Sequence, residues 1–222
     1  MFSIALALLS TECLTLSLSL YYEFMKKCVA EIIDSNKNEK INAVLKYVSS
    51  FLTSKGNDFL YYRLFTSILV FRKILELYNQ NNSEYRLLFY FYYGLKNGFP
   101  TEYFDDYFSI LDKKMTEEET FVECLNVLKK SGKRHISFAS KLTNLKYDDF
   151  PLIDKYIKTF FRIKNRYDLD YHSIIHIRDF YTNILIPRIE KELIKIKTMF
   201  NCLDISDIRM IDFLIWINKG RY

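Results

Sequence analysis

Apolar positions recur along this chain at intervals of three and four residues, the spacing that places them on one side of an α-helix. The pattern predicts helices near 4–33, 38–54, 58–79 and 83–96, with polar breaks at Asp34–Lys37, Ser54–Asp58 and Asn79–Ser83. In Gly98-Phe99-Pro100-Thr101, proline cannot continue the preceding helix and Thr101 can accept from free N–H groups, so a new helix is expected to be capped there. Thr116-Glu117-Glu118-Glu119 has capping-box spacing and predicts a helix to about Lys130, closed by Ser131-Gly132. A further helix is expected from about Lys133 to Lys146, then a turn over 147–151 and a helix from near Leu152. The segment 170–200 reads as one long helix or a pair, with Pro187 breaking or kinking it. Beyond the proline, Ile189, Leu193, Ile196 and Phe200 form an apolar stripe. Ser206 caps a last helix that buries Ile208, Ile211 and Ile215. The fold class expected is all-α, multi-helical and globular. One helical unit is expected over 1–222, with a division into lobes 1–120 and 121–222 as the variant of that organisation.

Composition narrows the picture. Only five Gly and three Pro in 222 residues leave few turn-formers, which disfavours sandwiches, barrels and doubly wound sheets. Half the residues are apolar, enough to fill a core. No P-loop, dinucleotide-binding, serine-elbow or kinase signature occurs, and no cofactor is expected. The four cysteines, Cys13, Cys28, Cys124 and Cys202, are scattered without a C-x-x-C pair, as suits reduced thiols in a cytoplasmic protein. Met1–Leu20 is apolar but contains Glu12 and lacks a basic leader. It reads as a buried first helix rather than a signal or a membrane span, so no membrane partner is expected.

Charge changes the picture more. Residues 121–222 carry 19 basic and 12 acidic residues, whereas residues 1–120 carry 13 and 15. Lys129–Arg166 alone holds 11 Lys and Arg against three Asp. A local excess of this size favours a polyanion, because neutralising phosphates releases their condensed counterions. The competing reading is a solvated charged face.

Within that basic region lie Ile136-Ser137-Phe138-Ala139-Ser140-Lys141-Leu142 and Phe150-Pro151-Leu152-Ile153-Asp154-Lys155. Ser137, Ala139 and Ser140 are small enough to let neighbouring backbone approach. The Pro–x–x–Asp turn directs a carboxylate back towards Lys141. Such a pair is either a structural ion pair or a nucleophilic amine beside a stabilising anion.

These two stretches, and more weakly Arg209-Met210-Ile211-Asp212-Phe213-Leu214-Ile215-Trp216, resemble the helix-hairpin-helix DNA glycosylase superfamily, in particular its divergent 8-oxoguanine-glycosylase-like branch. The resemblance covers roughly residues 120–222. It implies a glycosylase-like helical fold and DNA as partner, with a damaged purine as substrate. Lys141 would attack C1′ of an extruded nucleotide, and Asp154 would stabilise the developing oxocarbenium ion. Lys129, Lys130, Lys133, Arg134, Lys155 and Lys158 would hold the phosphate backbone. Ser131-Gly132-Lys133 is all that stands where the family has its Gly-rich hairpin, and Lys141 precedes Asp154 by a shorter interval than is usual there.

Other readings remain beside this one. The same scaffold can be a non-enzymatic module that binds nucleic acid or a protein partner, for instance in a defence system. Arg166 and His172 loosely resemble the Arg–His pair of HEPN ribonucleases. His172 and His176 have a spacing that metals use, with Asp168 and Asp170 just before them, but no HExxH pattern accompanies them; no metal is expected. The aromatic run Phe89–Tyr93 and Trp216 read as packed core rather than base-stacking surfaces.

Overall fold

A computed structural model describes residues 23, 26–53, 59–95, 99–130, 135–164 and 169–219. Besides a helical stretch over residues 26–34, they form ten α-helices and no strand. Residues 26–34 are helical and lead into α1 (Lys37–Thr53), α2 (Phe59–Asn79) and α3 (Glu84–Tyr92). Next come α4 (Phe104–Ser109), α5 (Glu117–Lys129), α6 (Ile136–Lys146) and α7 (Lys155–Phe161). The chain closes with α8 (Tyr171–Phe180), α9 (Ile186–Met199) and α10 (Asp207–Ile217). No described helix is long and apolar enough to cross a membrane. Met1–Leu20, Cys13 and the 131–134 closing turn lie outside the described residues.

The last helix is the axis of the fold. Every residue from Ile208 to Ile215 is buried, and α10 packs against α1, α2 and α7. Each fully buried Leu, Ile or Phe side chain contributes roughly 1.5–3 kcal/mol relative to exposure, so this continuous run is a major stabilising element. Ile189, Leu193 and Ile196 form the buried stripe of α9, which lies against α1. The core is one cluster running from Val29 to Ile217.

Several termini follow from single side chains. Thr116 accepts from Glu119 N while Glu119 reaches back to Thr116 N, so both halves of the capping box form. Ser206 accepts from Arg209 N and caps α10. Thr101 does not cap a helix: Thr101–Tyr103 is a 3-10 turn, and α4 begins at Phe104 without a side-chain cap. Pro187 does not interrupt the chain's helical course. The backbone opens into a π turn over Tyr181–Leu185, and Ile186 N–H reaches back to Tyr181 O, one residue farther than in an α-helix. That widened turn accommodates a residue with no N–H at the start of α9. The helix expected from Leu152 begins instead at Lys155, because the amides of Leu152 and Ile153 are bound to side chains elsewhere.

Candidate functional site

Four separate pieces of chain meet around a cavity of about 540 Å³. They are the end of α3 (Tyr92, Tyr93, Gly94), one face of α6 (Ser137, Phe138, Lys141), the turn entering α7 (Leu152, Asp154, Lys155, Tyr156) and the far end of α10 (Phe213, Trp216). Ser137, Phe138 and Lys141 share a face because they stand three and four residues apart on one helix. Phe213 and Trp216 do so by the same rule.

The α3 end is shaped by Gly94. Its φ of 61° lies in the left-handed region, which a residue without a side chain adopts at least cost, and Leu95 N bonds back to Tyr90 O to close the helix. The carbonyl of Tyr93 is thereby turned towards α6, where it accepts from Lys141 Nζ at 3.4 Å. Lys141 is only 9% exposed, and its ammonium lies 5.4 Å and 5.6 Å from the ring centres of Phe138 and Tyr93. Burial pulls its pKa down from 10.5 to about 8, although Asp154 opposes the shift. The two side chains line the same cavity without forming an ion pair.

Asp154 has a second task. Its Oδ1 accepts from Tyr156 N at 2.7 Å and Ile157 N at 2.9 Å, capping α7. Its Oδ2 has no hydrogen-bond partner among the described residues. The turn before it is held from two sides. Ser140 Oγ accepts from Ile153 N, and Asp212 Oδ2 accepts from Leu152 N, each at 2.9 Å. Asn144 Nδ2 donates to Phe150 O at the start of the same turn.

Behind the cavity, Arg209 is fully buried. Its guanidinium lies 4.2 Å from the centre of the Phe71 ring, and one nitrogen donates to Tyr93 Oη at 3.2 Å. Burial raises the pKa of Asp212 to about 7, with Arg209 and the Leu152 amide holding it down. Sequence reasoning gave Arg209 and Asp212 no role. The available signal was two charged residues three apart within the otherwise apolar run from Ile208 to Ile217, where burial of a charge is costly.

The basic residues divide. Lys155 is exposed, lines the cavity and lies 4.8 Å from the Tyr156 ring centre. Lys158 is half-buried on α7. Lys129 and Lys130 are exposed at the end of α5, and Lys130 pairs with Asp106 at 3.7 Å. Lys133 and Arg134 lie outside the described residues. Of the aromatic run, Phe89 is core, whereas Tyr92 and Tyr93 face the cavity, as does half-buried Trp216.

His176 pairs with Asp34 at 3.3 Å and His172 is exposed. Among the described residues no three His, Cys, Asp or Glu gather into a metal-ligating group. Arg166 and Asp168 lie outside the described residues. Cys28, Cys124 and Cys202 are free thiols.

Comparison with protein-family models, with curated proteins and with solved structures gives no match for this chain.

Proposed function

We propose that the chain is a DNA-binding protein that removes a damaged purine in the manner of base-excision glycosylases, with Lys141 as nucleophile and Asp154 as the stabilising anion. One observation carries the reading: an amine brought to a pKa of about 8 by burial shares an aromatic-walled cavity with a carboxylate to which it is not ion-paired. A structural ion pair would close the two groups on each other. Here both line one cavity with no ion pair between them, and its volume lies within the ~300–1,000 Å³ common for small-molecule sites.

The chemistry follows from that arrangement. The neutral amine's electron pair forms a bond to C1′ of the extruded nucleotide. The N-glycosidic bond breaks, its electron pair leaves with the base, and the base takes up a proton. Asp154 stabilises the positive charge that develops on the sugar, and the amine's surplus proton passes to solvent. Ring opening then leaves an imine between Nζ and C1′, which water hydrolyses. Phe138, Tyr93, Phe213 and Trp216 offer faces to the base, and exposed Lys155 at the rim meets a phosphate.

Release of free base from lesion-containing duplexes tests the proposal. Lys141→Gln and Asp154→Asn are expected to lower the single-turnover rate at least 100-fold. Undiminished release by both variants contradicts it.

A second reading, a binding module without turnover, is favoured by the engagement of Asp154 as a helix cap. Salt-dependent DNA binding with no base release by the unaltered chain selects that reading.

A further inference from the structure

Beside the Lys141 cavity lies a second hollow of about 380 Å³, whose walls include Phe59, Tyr62, Arg63, Tyr92 and Trp216. Tyr92 and Trp216 line both, so the two hollows adjoin across a shared aromatic wall. The outer wall is open to solvent: Phe59 is 71% exposed and Tyr62 is 61% exposed. Between the walls stands Arg63, whose guanidinium lies 5.1 Å from the Trp216 ring centre and 5.6 Å from that of Phe59. Arg63 makes no ion pair among the described residues.

The exposed rings of Phe59 and Tyr62, beside a guanidinium that itself lies over Phe59 and Trp216, match a ligand that is flat, apolar on its faces and anionic at its edge. A nucleotide has that form: the base stacks on aromatic rings and the phosphate meets the guanidinium. We infer that this hollow is a stacking subsite for the nucleotide next to the one held in the Lys141 cavity. This rests on the reading of the first cavity as a nucleotide site, and it extends that reading to the substrate. A strand with neighbouring nucleotides in two adjoining protein hollows is unpaired at both, so the substrate is single-stranded or locally opened there. Continuity with the Lys141 cavity and the charge of Arg63 favour this occupant over an apolar side chain from a partner protein.

The chain's single tryptophan, Trp216, lies between the two hollows and reports on both. Quenching of its fluorescence by oligodeoxyadenylates of one to four residues tests the inference on the full chain. Stacking is worth about 1–3 kcal/mol per base, or roughly 5- to 150-fold in affinity. The second residue is therefore expected to tighten binding about 10-fold. In Phe59→Ala/Tyr62→Ala that gain is expected to fall below about 2-fold, and both positions are exposed enough for the variant to fold. Arg63→Gln is expected to reduce the salt dependence of dinucleotide binding while circular dichroism is unchanged.

An unaltered length gain in the double variant, or no gain in the unaltered chain, overturns the subsite. Base release without a length gain rejects the subsite and leaves the glycosylase reading standing. A length gain without base release rejects catalysis and leaves the subsite standing. Binding of no oligonucleotide at low salt overturns both.

Discussion

Ser140 and Asp212, on different helices, hold consecutive backbone amides of one turn: Ile153 N donates to Ser140 Oγ and Leu152 N to Asp212 Oδ2. The turn they fix carries Asp154 into the Lys141 cavity. The site therefore depends on two buried polar side chains behind its wall as well as on the residues that face it.

Removing one of these grips leaves a buried N–H without an acceptor, which costs about 1–3 kcal/mol. Ser140→Ala is accordingly expected to lower the urea-derived unfolding free energy by that amount. A loss below about 0.5 kcal/mol contradicts the bond to Ile153 N.

Asp154 combines a cap with a charge, and two substitutions separate them. Asp154→Ala removes the cap of α7 and is expected to cost about 1 kcal/mol. Asp154→Asn keeps a side-chain oxygen for Tyr156 N and Ile157 N, so its stability should stay within about 0.5 kcal/mol of the unaltered chain. Thermal unfolding of both, read beside base release, distinguishes a carboxylate that only caps from one that also acts.

The pKa of Asp212 rises from 3.8 to about 7 on folding, because burial disfavours the anion. The folded state thus binds more protons than the unfolded chain between about pH 4 and 7. The stability this group contributes is fully present below pH 4 and is lost as the pH rises through 7, with a slope of at most about 1.4 kcal/mol per pH unit. Denaturation of the unaltered chain and of Asp212→Asn across this range should show a difference with that sign. A pH-independent difference contradicts a buried, protonatable Asp212.

Lys40 and Lys141 are both pulled down to about pKa 8, with burial the largest cause in each, but their surroundings differ. Lys40 Nζ donates to the carbonyls of Ile32, Ile33 and Ser35 at 3.0, 2.6 and 2.6 Å, closing the helical segment that precedes α1. Lys40→Met strands those acceptors and is expected to destabilise by about 2 kcal/mol or more. Lys141 donates one long hydrogen bond, to Tyr93 O, and the rings of Phe138 and Tyr93 and the charge of Asp154 offset its burial only in part, so at pH 7 Lys141→Met is expected to stabilise, on the order of 1–3 kcal/mol. Between pH 8 and 10.5 the unfolded chain holds the Lys141 proton that the folded state has released. The unaltered chain therefore gains stability with rising pH, and the advantage of Lys141→Met shrinks. Destabilisation by Lys141→Met at pH 7 shows that the amine is a structural donor.

Local signals carried much of the fold. Thr116 with Glu119, and Ser206 before α10, mark their helix starts because capping is a contact between residues three apart. The stripe Ile189, Leu193, Ile196 lies on the buried face that its spacing predicts. The sequence misled where distant partners decide. The start of α7 moves to Lys155 because Ser140 and Asp212, remote in sequence, take the preceding amides. Pro187 is accommodated by the register of the turn before it rather than by a break. The motif around Lys141 and Asp154 was visible in the sequence, but their common cavity was not. Its other walls, Tyr92 to Gly94 and Phe213 to Trp216, come from helices far away along the chain.

Bond formation between Lys141 Nζ and C1′ of the sugar is the step on which base release depends. Borohydride reduction of the imine during reaction with a lesion-containing strand, followed by peptide mapping by mass spectrometry, reads that bond directly. One strand-linked peptide is expected, carrying the modification on Lys141, with a yield that rises with pH through about 8 as the amine loses its proton. A link at any other residue, or base release with no trapped adduct under the same conditions, contradicts it.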